Sequence, residues 1–237
     1  MPSERVRPKL DLAMPVHNEG ASIQSTLEEW WKELSPSMDL RFIIAEDGSK
    51  DNTKEVLNKL ENELPMLLNM AEVRRGYSGA MTAALCASTS PYVLASDSDG
   101  QCDPGDFCRL WEVREKFDLV VGWRVNRADP FVRKMMSKSF RFVHKSLFGT
   151  WLHDPSCPFV LMNRLVIATI VPKLGLLREG YWWEFMARAM KAGIRIGEVP
   201  VNHRLRASGR TVVYTPTRVP GIAWRNGIGL LKIWRER

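Results

Sequence analysis

The chain has 237 residues, of which 45% are hydrophobic and 26% are charged, and its formal net charge is +7. This length is sufficient to bury a large core, and the composition is ordinary for a globular protein. The sequence predicts neither a secretory signal nor a membrane span, because the N-terminal residues lack a long apolar run and no stretch approaches the roughly 20 apolar residues that a spanning helix needs.

Strand and helix patterns alternate through the first half of the chain. Apolar segments predict strands at 10–16, 39–47, 66–73, 92–96 and 117–123, the third of which is also compatible with a helix. Helices are predicted at 22–34, within 48–64, at 80–89 and at 104–115. Apolar strands separated by helices indicate an α/β fold, with a mainly parallel central sheet covered on both faces.

The second half of the chain is less regular. We expect a basic amphipathic helix over 130–148, a turn and a strand over 153–164, a loop and a helix over 177–193, and a strand over 194–201. A polar loop at 203–211 follows, and after two prolines the chain continues in a short amphipathic pattern.

The positive charge is concentrated in the last part of the sequence. Residues 201–237 contain eight basic residues and one acidic residue, so the first 200 residues are neutral overall. Such a segment usually binds a polyanion, and the alternatives are the phosphates of a ligand, nucleic acid or an anionic membrane.

Polar residues follow four of the predicted strands at the point where each strand ends. In a parallel α/β sheet, ligands bind at the carboxyl ends of the strands. Four polar clusters on this edge therefore predict a binding site there. The clusters are His17-Asn18-Glu19, Glu46 to Ser49, Asp97 to Gln101, and Trp123-Arg124.

The sequence ASDSDGQCDP, at 95–104, places three carboxylates within seven positions. Carboxylates this close repel one another and raise one another's pKa unless a cation or strong donors offset them. One interpretation is a strand-to-helix turn; the other is a divalent-metal site formed by Asp97 and Asp99, with a neutral oxygen from Gln101. Its position at the strand ends favours the metal site, while Asp103 is expected to cap the next helix. Hard oxygen ligands favour Mg²⁺ or Mn²⁺.

A diphosphate ligand would suit this edge, because a divalent cation offsets both the carboxylate repulsion and the phosphate charge. Asp47 could accept hydrogen bonds from a base or a ribose. Arg124, Arg133 and Arg206 could clamp phosphates, although each arginine alone is more often a solvated surface charge. The sequence contains neither GxxxxGK[ST] nor GxGxxG, so a glycine-rich phosphate loop is not expected.

Seven motifs occur in an order that resembles a known family: MPVHNEG, AEDGSKDNT, RRGYSGAMTAAL, ASDSDGQCDP, VVGWR, DPSCPFVLMNR and EVPVNHRLRASGRT. Over about residues 10–212 they resemble the inverting nucleotide-sugar glycosyltransferases of the GT-A fold. Within that family the chain is most similar to the dolichyl- and polyprenyl-phosphate sugar synthases, the mannose synthases among them. The resemblance implies a GT-A catalytic domain over 1–212, with a Rossmann-like three-layer α/β fold, and a basic amphipathic segment over 213–237.

The resemblance also implies the residues of the donor and metal sites. Asp97 and Asp99 match the Asp-x-Asp metal motif of the family, and Gln101 matches the glutamine that assists it. His17 stands where the family more often has tyrosine. The donor site would consist of Pro15, His17, Glu19, Asp47, Asp97 and Arg206.

Three arginines receive roles from the same resemblance. Arg124 corresponds to the arginine after the fifth strand and Arg133 to a basic residue on the next helix, and both would face the acceptor phosphate. Arg206 corresponds to an arginine in a mobile loop that closes over the donor. The catalytic residues would be Asp99, Arg124 and Arg206, joined by Glu184 if the reaction needs a base.

The class of acceptor decides whether a base is needed. A hydroxyl acceptor requires a general base, and many relatives supply one from a Glu-Asp pair at a helix start, where this chain has only Glu184. A polyprenyl phosphate is already anionic and can attack unaided. The sequence favours the phosphate acceptor, with a soluble hydroxyl acceptor as the alternative. A basic nucleic-acid-binding protein is the remote alternative, and it leaves the acids at the sheet edge unexplained.

The sequence therefore predicts a metal-dependent inverting glycosyltransferase that uses Mg²⁺ or Mn²⁺. It would move a hexose from GDP-mannose or a UDP-hexose to a polyprenyl phosphate, without binding nucleic acid.

Cationic and aromatic residues alternate over 130–148, and Trp224 and Trp234 lie among basic residues. These patterns predict contact with an anionic membrane, whereas helices packed on the domain are the alternative. We expect a cytoplasmic protein that is peripheral at the inner face of the membrane.

Overall fold

The computed structural model describes residues 6–125, 141–149, 152–205 and 219–236, without the side chains of 219–220. Eight helical segments lie in this part of the chain. They are α1 (Ile23–Leu34), α2 (Thr53–Leu60), α3 (Gly76–Ala87), α4 (Phe107–Val113), α5 (141–148), α6 (Arg164–Ile170), α7 (Tyr181–Lys191) and α8 (Val219–Arg235), with short 3₁₀ turns at Pro104–Asp106 and Val171–Lys173.

A seven-stranded sheet forms the centre of the structure. Its strands are β1 (Lys9–Val16), β2 (Asp39–Glu46), β3 (Met66–Met70), β4 (Tyr92–Ala95), β5 (Leu119–Arg124), β6 (Val160–Asn163) and β7 (Ile196–Val201). Their order in the sheet is β3-β2-β1-β4-β6-β5-β7. The strand β6 runs antiparallel to β4 and β5, and the other pairs are parallel.

The apolar character of β1 and β2 explains their central position. Both strands are buried on both faces along nearly their whole length, as expected for parallel strands covered by helices. On one of these helices, α1, the buried residues Ile23, Leu27, Trp30 and Leu34 recur at helical spacing. The predicted α/β fold with a mainly parallel sheet is confirmed.

The topology places the predicted polar clusters on one edge. Because β4 and β5 are both antiparallel to β6, they are parallel to each other and to β1 and β2. The carboxyl ends of these four strands therefore lie on the same side of the sheet. This edge carries every predicted site residue that precedes position 125.

Some elements differ from those predicted. Helix α3 begins at Gly76, four residues before its predicted start. Helix α6 was not predicted, although Asn163 caps it by accepting a hydrogen bond from the Val166 N–H at 3.1 Å. Between Arg164 and Lys173 the segment is almost wholly apolar, so periodicity does not separate a buried helix from a strand there.

Helix α8 packs on α7. Leu230 and Ile233 of α8 are fully buried in a small hydrophobic cluster that also contains Trp183 of α7, and residues of α5 pack against the same cluster. In the described part of the chain, no helix has the length and apolar character needed to cross a membrane. The predicted boundary at 212–213 lies outside the described residues.

Candidate active site

The turn after β1 is joined to the turn after β2. Asn18 has a left-handed backbone with φ of 54°, which asparagine tolerates better than most residues. Its N–H donates to Ser49 Oγ at 2.9 Å, and its Oδ1 accepts from the Lys50 N–H at 2.9 Å. Glu19 is buried and accepts a hydrogen bond from the Ser22 hydroxyl at 2.7 Å. Residues predicted to bind the nucleotide-sugar donor therefore lie on two loops that hydrogen bonds hold together.

Pro15 and His17 flank the end of β1. Pro15 is buried, and its carbonyl accepts a hydrogen bond from the Ser98 hydroxyl at 2.9 Å. His17 is half-buried, with its Nε2 within 3.3 Å of Asn18 Nδ2. The bond from Ser98 places the end of β1 against the acid-bearing turn that follows β4.

Asp47 holds the start of α3. Its buried carboxylate accepts hydrogen bonds from the Arg75 N–H at 2.5 Å and the Gly76 N–H at 3.2 Å. Backbone N–H groups at a helix start have no partner within the helix, and a carboxylate is favoured there. The next residue, Gly48, has φ of +65°, and a Cβ at Gly48 would lie 2.9 Å from the Arg74 N. The contact of Asp47 with a nucleoside remains a prediction.

Asp97 and Asp99 lie on the turn that leaves β4. Asp99 is 8% exposed and accepts a hydrogen bond from the Gln101 N–H at 3.1 Å. Asp97 is half-buried and accepts a hydrogen bond from the Tyr77 hydroxyl at 2.8 Å. The turn thus carries two carboxylates to the edge where β1 and β2 end.

The two carboxylates of this turn suit a divalent cation that binds together with a diphosphate. Among the described residues, no group of three or more His, Cys, Asp and Glu side chains could hold a metal by itself. Mg²⁺ is usually bound by one or two carboxylates together with substrate phosphates and water, not by an all-protein cage. Two carboxylates on one turn, Asp97 and Asp99, fit that arrangement.

Gln101 connects the turn of Asp97 and Asp99, called the acid turn below, to the segment that leaves β7. Its side-chain Nε2 donates to the backbone carbonyl of Arg204 at 3.2 Å, and its backbone carbonyl accepts a hydrogen bond from the Arg204 N–H at 2.9 Å. Cys102 and His203 form an isolated antiparallel bridge beside them. The predicted part of Gln101 in metal binding stays a prediction, and the structure adds a backbone connection that the sequence did not indicate.

The Arg204 side chain strengthens this connection. It forms ion pairs with Asp103 at 2.8 Å and with Glu29 of α1 at 2.6 Å. Asp103 also accepts a hydrogen bond from the Gly105 N–H at 3.0 Å, so its predicted role as a cap is confirmed. Nothing in the local sequence distinguished Arg204 from the other basic residues near it.

Tyr77 links α3 and α7 to the acid turn. Its hydroxyl accepts a hydrogen bond from Trp182 Nε1 at 2.8 Å, and its ring meets that of Tyr181 edge-on at 6.0 Å. Burial of the hydroxyl, reinforced by the charge of Asp97, holds the pKa of Tyr77 well above its ordinary value. The hydroxyl therefore keeps its proton at neutral pH. In the sequence, Tyr77 is part of the motif RRGYSGAMTAAL, and the pattern gave it no role of its own.

Arg124, at the end of β5, forms a buried ion pair. Its Nε and Nη2 donate to Asp154 at 2.6 and 3.0 Å, and Nη2 also donates to Ser156 Oγ at 3.0 Å. The side chains of Arg124 and Asp154 are each 7% exposed. Arg124 thus fixes the turn before β6, and its contact with a phosphate remains a prediction. Nearby, burial raises the pKa of the Cys157 thiol to about 12, so this thiol is unreactive at neutral pH.

Glu184, the candidate base, is 1% exposed on α7. Its carboxylate accepts hydrogen bonds from the backbone N–H groups of Gly175, Leu176 and Leu177, at 3.2, 3.2 and 2.7 Å. Arg188 Nε also donates to it at 2.9 Å. These contacts give Glu184 a structural role and do not favour its role as a base.

Two other predicted site residues, Arg133 and Arg206, lie outside the described residues.

The chain is similar to known proteins over most of its length. The model of glycosyl transferase family 2 matches residues 11–171. The chain is 29% identical over 214 residues to a dolichyl-phosphate beta-glucosyltransferase of Dictyostelium discoideum, covering 81% of this chain and 65% of that protein. It is 30% identical over 211 residues to a dodecaprenyl-phosphate galacturonate synthase of Rhizobium johnstonii, covering 85% of this chain and 60% of that protein. It therefore spans slightly less than two thirds of these relatives.

A solved structure shares the fold. Glucosyl-3-phosphoglycerate synthase from Mycobacterium tuberculosis, crystallised with Mn²⁺, uridine diphosphate and phosphoglyceric acid, has a TM-score of 0.72 and covers 98% of this chain and 80% of its own. At 17% identity this likeness establishes the GT-A fold and nothing finer. Because the family model covers more than half of the sequence, including the acid turn, the chain belongs to glycosyl transferase family 2.

Proposed function

We propose that this protein is a metal-dependent inverting glycosyltransferase that moves a hexose from a nucleotide-diphosphate sugar to a polyprenyl phosphate. The observation that carries the proposal is the turn of Asp97 and Asp99, which lies beside the joined loops after β1 and β2 in a chain of glycosyl transferase family 2. The names of two relatives, a dolichyl-phosphate and a dodecaprenyl-phosphate enzyme, support a polyprenyl-phosphate acceptor.

The chain's own residues would position both substrates. Asp97 and Asp99, assisted by Gln101, would hold Mg²⁺ or Mn²⁺, which when bound would offset the charge of the leaving diphosphate. Arg206 would add positive charge over the same diphosphate. The nucleoside, as part of GDP-mannose or a UDP-hexose, would contact the loops after β1 and β2 through Pro15, His17, Glu19 and Asp47.

The acceptor phosphate would attack the anomeric carbon from the face opposite the diphosphate. Arg133 would attract this phosphate, and Arg124 would add positive charge or fix the turn that borders it. A phosphate monoester is anionic at neutral pH, so no side chain needs to remove a proton. The contacts of Glu184 agree with this scheme, since they already engage its carboxylate with backbone N–H groups and Arg188.

A donor panel tests the proposal directly. Labelled GDP-mannose and UDP-hexoses are incubated with the protein, a polyprenyl phosphate and Mn²⁺, and labelled lipid is extracted into the organic phase. We expect Asp99→Ala to lower kcat/KM by at least about 100-fold, because indirect disturbance of a metal site alone costs about 10- to 100-fold. The control is Asp118→Asn, at the opposite edge of the sheet. Full turnover by Asp99→Ala, or in excess chelator, would contradict metal dependence.

Two substitutions on α7 distinguish a phosphate acceptor from a hydroxyl acceptor. Glu184→Gln removes the candidate base and its ion pair with Arg188. Arg188→Gln removes the same ion pair, together with the one to Glu236, but keeps the Glu184 carboxylate. With a phosphate acceptor, both variants should show similar small losses of kcat. A loss confined to Glu184→Gln would identify Glu184 as a base and favour a soluble hydroxyl acceptor.

We propose also that α8 contacts an anionic membrane surface, at the inner face of the membrane of a cytoplasmic protein. Trp224, Ile228 and Leu231 follow helical spacing along one side of α8, and they are 73%, 37% and 42% exposed. The basic residues Lys232 and Arg235 stand beside them near the end of the helix. Apolar and cationic side chains on one exposed face suit a surface of anionic lipid. An exposed Phe142 on α5 supports the same contact.

A further inference from the structure

Three side chains from distant parts of the chain form a continuous series of hydrogen bonds. Trp182 Nε1 on α7 donates to the Tyr77 hydroxyl oxygen at 2.8 Å. The Tyr77 hydroxyl on α3 donates to Asp97 Oδ1, also at 2.8 Å. The series therefore ends on a carboxylate that the proposed function assigns to the metal.

The chemistry of the groups fixes the direction of this series. An indole N–H can only donate, so the Tyr77 oxygen accepts the bond from Trp182. The hydroxyl proton of Tyr77 is then directed at Asp97. A hydroxyl that accepts one hydrogen bond donates a second more strongly, because the two bonds polarise each other.

We propose that Tyr77 is a positioning residue that orients the Asp97 carboxylate for a divalent cation, and that Trp182 fixes the tyrosine hydroxyl. This inference rests on the proposed metal-dependent function. Hydrogen bonds to a ligating carboxylate set its orientation, and their loss typically lowers metal affinity by about 10- to 100-fold.

The neighbouring contacts hold Tyr77 in place. Arg75 and Gly76 directly precede Tyr77, and their backbone N–H groups donate hydrogen bonds to Asp47. The hydroxyl of Ser78, the next residue, donates to the Arg178 carbonyl at 2.6 Å, in the loop before α7. The residues on both sides of Tyr77 in the sequence are thus held by hydrogen bonds. A hydroxyl group can orient another group only if its own position is fixed in this way.

The Trp182 end is equally constrained. Trp182 is 5% exposed, and its ring lies 5.2 Å from that of Tyr181 and 5.4 Å from that of Phe185. Packing alone would require only the aromatic rings of this cluster. The Tyr77 hydroxyl adds a polar contact that reaches the acid turn.

The test is direct Mn²⁺ binding by Tyr77→Phe, which keeps the ring and removes the hydroxyl. Free Mn²⁺ is measured by electron paramagnetic resonance, with the metal alone and with UDP or GDP added. We expect a 10- to 100-fold weaker Mn²⁺ affinity, and a smaller weakening in Trp182→Phe. In turnover assays, excess Mn²⁺ should restore most of the kcat of Tyr77→Phe but not that of Asp99→Ala. A general loss of structure would not be rescued by metal.

The matched control is Tyr92→Phe, at the beginning of β4, the strand that precedes the turn with Asp97. It should bind Mn²⁺ like the unchanged protein. If Tyr77→Phe and Trp182→Phe both keep full affinity while Asp97→Asn and Asp99→Ala lose it, the positioning role is overturned and the proposed function stands. If the two aspartate variants also keep full affinity, metal dependence itself is overturned. Should Tyr77→Phe fail to fold, Trp182→Phe decides by the same measurement.

Discussion

At the residue scale, the two edges of the sheet use buried carboxylates differently. Asp11, near the start of β1, is fully buried and accepts two hydrogen bonds from Arg41, at 3.0 and 2.9 Å. The backbone N–H groups of Thr89 and Ser90 and the Ser90 hydroxyl also donate to it. At the opposite edge, Asp97 and Asp99 lie two residues apart on one turn, and a cation would offset the repulsion between their charges. The first arrangement serves stability, and the second suits a ligand.

This contrast predicts how Asp11→Asn changes stability. The substitution leaves Arg41 without its buried partner, which costs about 3–5 kcal/mol for a fully buried pair. Because the Arg41 side chain is 38% exposed, we expect a smaller loss, about 2 kcal/mol at pH 7. The measurement is the free energy of unfolding in urea. The exposed Asp39→Asn serves as the control and should change stability by less than about 0.5 kcal/mol.

The same pair predicts a pH dependence. Burial alone would raise the pKa of Asp11, but the donors from Arg41, Ser90 and Thr89 outweigh burial and lower it. A carboxyl group that is more acidic when folded stabilises the protein fully above its ordinary pKa of about 3.9, and that stability is lost as the pH falls through the folded pKa. The difference between the unchanged protein and Asp11→Asn should therefore shrink below about pH 4. An equal difference at pH 7 and pH 3 would contradict this explanation.

At the element scale, the acid turn and the segment leaving β7 form one unit. One backbone hydrogen bond and one from the Gln101 side-chain amide join Gln101 to Arg204, and the Arg204 side chain reaches Asp103 and Glu29. The predicted donor-closing residue Arg206 lies two positions further along the chain. Displacement of this segment would therefore be transmitted to the turn that carries Asp99.

Arg204→Ala tests that connection. The lost ion pairs are partly exposed, so unfolding should become easier by only about 1 kcal/mol. Misplacement of a reacting group by about 1 Å can cost about 100-fold in rate, and we expect a partial displacement to lower kcat/KM by about 10-fold. Arg204→Lys should recover part of the loss. The matched control is Arg195→Ala, which breaks an exposed ion pair with Asp118 at the other edge. Equal activity in the two alanine variants would show that Arg204 does not position the turn.

The sequence predicted the elements whose pattern is local and missed the contacts that are not. Strands β1 and β2 were predicted because burial on both faces leaves a short run of apolar residues, and helix α1 because burial on one face spaces its apolar residues at helical intervals. The reversed direction of β6 depends on its neighbours in the sheet. The bonds from Tyr77 to Trp182 and from Arg204 to Glu29 join residues 105 and 175 positions apart. No periodicity within either segment could reveal such pairs.

At the scale of the whole molecule, α8 is attached to the domain by one face and exposes another. Ile222, Leu230 and Ile233 are buried, and they lie on the side of the helix opposite Trp224 and Leu231. Polar contacts add to the attachment, since Arg188 of α7 forms an ion pair with Glu236 at 2.7 Å and Lys191 donates to the Ile233 carbonyl at 2.7 Å. The exposed apolar side of α8 is therefore held in a fixed orientation relative to the sheet.

Two adjacent leucines separate attachment from membrane contact. Leu230→Ala removes a fully buried side chain and should lower the free energy of unfolding by about 2–4 kcal/mol. Leu231→Ala removes a side chain that is 42% exposed and should change stability by less than about 0.5 kcal/mol. Of the two, Leu231→Ala alone should weaken binding to anionic vesicles while leaving the fold intact. Urea unfolding and vesicle sedimentation measure the two effects independently.

Trp224→Ala should give the larger effect on membrane binding, because its side chain is 73% exposed and brings the most apolar surface to the contact. We expect binding to phosphatidylglycerol vesicles to fall about 10-fold, since burial of one large side chain contributes about 1.5–3 kcal/mol. Neutral phosphatidylcholine vesicles should bind the unchanged protein weakly, because they do not attract Lys232 and Arg235. If Trp224→Ala binds anionic vesicles normally, α8 is not the contact. If the protein instead binds RNA or DNA with a steep salt dependence that Trp224→Ala does not alter, the basic residues serve nucleic acid and the membrane proposal fails.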